Sequence, residues 1–186
     1  MSLKKIIGTL ALSAALVCAL GGMVGCTSPE QVIRDGLNQE IQQYKNVDQS
    51  VIDEINEAVP ATYMQMLGIS SEDLTKAILE GFDGTVDSVT VNGDKAEAVV
   101  TITSKSLGDL TEHITDLQSE VYDDPSQFAN MSTDELYAWV GTKMMDYISN
   151  APIETREPIT IEYVKNGNTW EPTAASQTAM QSAIFG

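Results

Sequence analysis

Residues 29–186 predict an α+β fold: N-terminal helices packed on an antiparallel sheet, with a helical pair inserted between two strand pairs. Three observations carry this prediction. Apolar residues recur at helical spacing from Ile33 to Phe82. Strict alternation then flanks Asn92-Gly93, and again flanks Asn166-Gly167. Between those two stretches, residues 106–150 return to a spacing of three and four.

Ser28 stands as an N-cap, Pro29 takes the first helical position, and Gln31 completes a capping box. Ile33, Leu37, Ile41 and Tyr44 form the apolar stripe that follows. Asp48 caps a second helix with Ile52, Ile55 and Val59 on one face, ended by Pro60. The segment Ala61–Leu67 carries Tyr63, Met64, Met66 and Leu67, and Gly68 terminates it. Ser71 starts a third helix with Leu74, Ile78 and Phe82 on one side, and Gly81 and Gly84 bracket the change of period.

Val89 and Val91 alternate with Ser88 and Thr90; Ala96, Ala98, Val100 and Ile102 alternate with Glu97, Val99, Thr101 and Thr103. A two-residue loop pairs Val91 with Asp94, whereas a four-residue loop pairs it with Ala96. Both keep the same faces together, so the pattern leaves the register open. Leu107, Leu110, Ile114, Leu117 and Val121 form the next stripe, broken at Asp123-Asp124-Pro125. Ser132 and Glu135 make a second capping box, followed by Leu136, Trp139, Val140, Met144, Tyr147 and Ile148, up to Asn150 and Pro152. These stripes are too short for a coiled coil and are expected to pack on the sheet. Ile159, Ile161 and Tyr163 alternate, Asn166-Gly167 turns, and Thr169-Trp170-Glu171 returns. Thr173 caps a short last helix carrying Ala179, Met180, Ala183 and Ile184.

The N-terminus has the regions of a secretory signal. Lys4 and Lys5 precede the apolar run Ile6–Leu20, and Gly21, Gly22 and Gly25 lead to Cys26. An uncleaved membrane span and a plain signal peptide are the alternatives. The apolar run is shorter than the ~20 residues of a span. Met23-Val24-Gly25-Cys26 resembles the lipobox of bacterial lipoproteins, with an apolar residue three before the cysteine and a small one beside it. Cys18 lacks that small neighbour. The resemblance implies a cleaved signal peptide over 1–25, lipidation of Cys26, a short tether over 26–28 and a single domain over 29–186. It also implies an extracytoplasmic protein anchored to a membrane by lipid, held close to the bilayer.

The net charge is −17, and loss of Lys4 and Lys5 with the leader makes it more negative by two. Such a surface repels nucleic acid and anionic headgroups, so nucleic acid is excluded as a partner. With Cys18 removed and Cys26 acylated, no thiol remains for a disulfide or a thiolate metal site. No metal set, no phosphate loop and no dinucleotide fingerprint occurs, so neither metal nor cofactor is expected. His113, the single histidine, lies beside Glu112 and Asp116 and reads as a surface residue rather than a general base.

The hairpin Val89-Thr90-Val91-Asn92-Gly93-Asp94-Lys95-Ala96 and the late strand Asn166-Gly167-Asn168-Thr169-Trp170 resemble those of small bacterial lipoproteins in the nuclear-transport-factor-2-like, cystatin-like superfamily. That resemblance implies a cone-like sheet and a ligand pocket between sheet and helices. Tyr63, Met66, Trp139, Tyr147, Tyr163 and Trp170 are the candidate pocket residues, because aromatic and methionine side chains suit apolar ligands. Two functional classes follow. One is a binding or interaction module for a small apolar ligand or an envelope protein. The other is an enzyme with acid-base chemistry in the cone, which requires an inward carboxylate, histidine or tyrosine of perturbed pKa.

Overall fold

A computed structural model describes residues 28–185. The leader, Met23, Val24, Gly25 and Cys26 lie outside the described residues. The fold is α+β, with eight helices and five antiparallel strands among the described residues. Four helices come first: α1 (Pro29–Asn46), α2 (Gln49–Ala58), α3 (Ala61–Leu67) and α4 (Ser71–Leu79). Strands β1 (Asp83–Asn92) and β2 (Lys95–Lys105) follow. Helices α5 (Leu110–Asp123), α6 (Pro125–Phe128) and α7 (Thr133–Asn150) form the insertion. Strands β3 (Ile153–Thr155), β4 (Ile159–Asn166) and β5 (Thr169–Pro172) complete the sheet, and α8 (Ala174–Phe185) ends the chain.

Strand β2 is the centre of the sheet. β1 pairs along one edge, and β4 and β3 share the other, on the Lys95–Val100 and Thr103–Lys105 halves of β2 respectively. β5 lies outside β4. Ala96, Ala98, Val100 and Ile102 of β2 are buried beneath the helices, together with Ile161 and Tyr163 of β4. α1 packs over β1, and α8 over β2 and β4. The alternate residues Glu97, Thr160, Glu162 and Val164 are exposed on the opposite face.

A bulge at Asp87 sets the phase of β1. Val86 pairs with Val100, but Ser88 pairs with Val99, leaving Asp87 as the extra residue. An odd separation would put Val86 and Val89 on opposite faces; the inserted residue returns both to the core side. Thr101 Oγ1 donates to the Asp87 carboxylate at 2.7 Å, and Arg34 of α1 donates to Val86 O at 2.5 Å.

Val91 pairs with Ala96 and Asn92 with Lys95, so the loop is Gly93-Asp94 rather than Asn92-Gly93. Gly93 has φ 62° and Asp94 stays in the negative-φ region, as in a type II′ turn. The second hairpin repeats this arrangement, with Asn166 opposite Thr169 and Gly167 at φ 62°. In both, the asparagine ends a strand and glycine alone supplies the positive φ.

Several predicted boundaries shift. Ser28 accepts from Gln31 N at 3.3 Å, but the Gln31 side chain donates to Asp35 instead of closing a capping box. Ser132 and Glu135 do form the full box. Ser70, not Ser71, caps α4, and Phe82 lies past the end of that helix, against the Tyr44 ring. Thr173 caps α8 through Ser176 N. β3 and α6 were not predicted. The inserted helices also pack differently from expectation: α7 lies against α3, α4 and α5 rather than across the sheet.

Candidate functional site

The helical layer leaves an apolar cavity of about 80 Å³. α2 supplies Ile55, Val59 follows just past its end, and the short α3 supplies Tyr63, Met64 and Leu67. Leu74 and Ile78 of α4 face Met144 and Ile148 of α7, while Leu107, Leu110 and Phe185 come from the far side. No charged group and no strand residue lines it. The cavity therefore lies among helices, not between helices and sheet.

α3 is the roof of this space. Pro60 precedes it, and Gly68, at φ 66°, ends it by accepting the left-handed conformation. Its C-terminal end is pressed on α7 at Gly141, where an added Cβ would stand 2.0 Å from Leu67 O. Only a residue without Cβ permits that crossing. A wider, more open cleft of about 290 Å³ lies on the other side of the crossing, where Asp73, Thr142 and Asp146 are among the lining residues.

The six candidate pocket residues are dispersed. Tyr63 lines the cavity and is 45 % exposed at its rim, whereas Met66 points from the same helix toward solvent at 43 %. Trp139 meets Phe128 edge-on at 4.9 Å, with Lys143 Nζ 5.9 Å over its ring. Tyr147 stacks on His113 at 4.5 Å. Tyr163 and Trp170 are buried beneath the sheet's helical cover, and Lys165 lies over the Trp170 ring. The aliphatic lining residues carry no sequence mark that separates them from ordinary core, so composition could not single them out.

A second feature is a half-buried acidic cluster. Burial pushes the Glu40 carboxyl up to about 7, and the Glu54 carboxylate adds to the shift. Burial also raises Glu54, partly offset by the Tyr44 hydroxyl, which donates to it at 3.1 Å. Tyr44 and Tyr163 are both pushed up by burial, with neighbouring carboxylates contributing. Neither Glu40 nor Glu54 lines either cavity. The signal was present in the sequence: Glu40 stands three residues after Leu37 and four before Tyr44, on the flank of the α1 stripe.

Among the described residues, no group of three or more His, Cys, Asp or Glu side chains is arranged to hold a metal. No helix among them is long and apolar enough to cross a membrane.

No family model matches the sequence, and no curated protein matches it. Among solved structures, the chain is similar to a lipoprotein candidate, YcdA, from Bacillus subtilis subsp. subtilis str. 168. The identity is 17 %, the TM-score is 0.39, and the match covers 73 % of this chain and 46 % of that one. The chain thus spans less than half the length of that protein.

Proposed function

We propose that this protein is a lipid-anchored, extracytoplasmic binding or interaction module of the cell envelope. Residues 29–186 form its single domain, and Cys26 carries the anchor. The observation that supports binding is the apolar cavity beneath α3, because a space lined only by aliphatic, thioether and aromatic side chains suits a small apolar ligand. Xenon under pressure tests it in the full chain: the methyl resonances of Met64 and Met144 are expected to shift. Unmoved resonances would remove the pocket and leave a protein partner as the cargo.

The anchor rests on the resemblance of Met23-Val24-Gly25-Cys26 to a lipobox. Two or three acyl chains hold firmly where one holds marginally. Cells expressing the protein are expected to incorporate radiolabelled palmitate into it, and Cys26→Ala is expected to abolish the label. Label that persists in the variant defeats the assignment.

One observation favours a second reading. A carboxyl titrating near 7, as at Glu40, is suited to general acid-base catalysis. An enzyme built on it would need substrate access to Glu40, which Tyr44, Glu54 and Tyr163 surround.

A further inference from the structure

We propose that the cavity beneath α3 takes the end of an unbranched, saturated hydrocarbon chain, whose uncharged polar end stays outside beyond Tyr63. This rests on the binding-module reading and narrows it to one ligand class.

Chemistry excludes most alternatives first. The wall offers no charged group and, apart from the Tyr63 hydroxyl, no side-chain hydrogen-bonding group. A polar group carried inside would lose its water and gain nothing in exchange. Water itself needs two to four polar partners, so the space stays dry and remains available to hydrocarbon. Size then separates chains from rings. The cavity measures about 80 Å³, roughly half the ~150 Å³ of a dry cavity that holds benzene. A chain end enters such a volume, whereas a ring must first push the walls apart. Met64 and Met144 line the space, and their unbranched thioethers adjust to a flexible chain better than branched walls would.

The polar end is constrained by the rim and by charge. Tyr63 is 45 % exposed while lining the cavity, so it marks the boundary between apolar wall and solvent. A carboxylate held there would join a chain of net charge −17 with no lysine or arginine in the lining. A hydroxyl or another neutral group meets no such repulsion.

The test uses the full chain in lipid nanodiscs with labelled methionine methyl groups. Each buried methylene is worth roughly fourfold in affinity, so two more methylenes inside give roughly fifteenfold. 1-Hexanol is therefore expected to half-saturate the shifts of Met64 and Met144 at about a fifteenfold lower concentration than cyclohexanol, and below hexanoate. Met144→Phe, which fills the space, is expected to abolish the hexanol shift at Met64. Should that variant fail to fold, the comparison of the three ligands on the unaltered chain still decides. Cyclohexanol acting at or below the hexanol concentration overturns the chain assignment, and hexanoate matching hexanol overturns the neutral end. In either case xenon still shifts the same methyls, so the cavity survives; loss of the xenon response as well removes the cavity itself.

Discussion

Lys105 shows how one side chain can join three elements. It ends β2, is 1 % exposed, and its ammonium donates to Glu80 Oε2 at 2.7 Å, Ile148 O at 3.0 Å and Ser149 O at 2.9 Å. All three protons are therefore used. Two of them neutralise carbonyls at the C-terminal end of α7, where a positive charge is favoured by the helix dipole. The third reaches past the end of α4 to Glu80, whose carboxyl is held below the usual range by that bond. Lys105→Met is expected to lower unfolding free energy by about 2–4 kcal/mol, because buried carbonyls lose their donor. Glu80→Gln is expected to cost much less, since Glu80 is exposed and its pairing is screened by solvent. Urea titration of both variants checks the contrast; equal losses would show that the ion pair, not the carbonyl capping, carries the junction.

Helix α3 depends on its neighbours. Seven residues are too few to hold a helix by themselves in water, so its position comes from packing on α7. The contact of Leu67 with Gly141 brings backbone against backbone. Gly141→Ala places a methyl 2.0 Å from Leu67 O, and a helix must move. The expected cost is about 1–3 kcal/mol, typical of overpacking, with faster amide hydrogen exchange concentrated in α3. Exchange that speeds up equally across the sheet would instead indicate global loosening. Since α3 is the cavity roof, the same variant is expected to weaken the xenon response.

Over the whole molecule, the acidic balance gives stability an unusual pH profile. Glu40 has a folded pKa of about 7 against 4.5 in the unfolded chain. The folded state therefore binds the extra proton between those values, and stability falls as pH rises from 4.5 through 7. Above 7 the penalty is complete, about 2–3 kcal/mol once its partial exposure is allowed for. Glu30, Glu80, Asp83, Asp124 and Glu135 are shifted the other way, by hydrogen bonds and by lysine partners at Glu80 and Asp83. Their contributions are lost only as pH falls below the ordinary carboxylate range. Maximum stability is expected between about pH 4.5 and 6. Glu40→Gln is expected to flatten the slope between pH 5 and 8 and to raise stability at pH 8. A wild-type curve that rises from pH 5 to 8 would contradict the assignment.

The sequence by itself determined the α+β class, the order of the longer elements and the buried face of α1 and β2. Those follow from periodicity: Ile33, Leu37, Ile41 and Tyr44 can share a face only in a helix, and Ala96, Ala98, Val100 and Ile102 only in a strand. It also determined the local chemistry of several ends, because the Ser132–Glu135 box and the Thr173 cap act within one turn. Only the tertiary structure decided the hairpin register and the bulge at Asp87, since alternation fits more than one pairing. It likewise decided that α7 lies on helices, that Lys105 joins three elements, and that Glu40 loses its water. The cavity belongs to the same group: Ile55, Leu74, Leu107 and Phe185 are far apart in the chain, and each alone is an ordinary core residue. A gap between side chains is a property of how helices cross, and no single segment encodes a crossing.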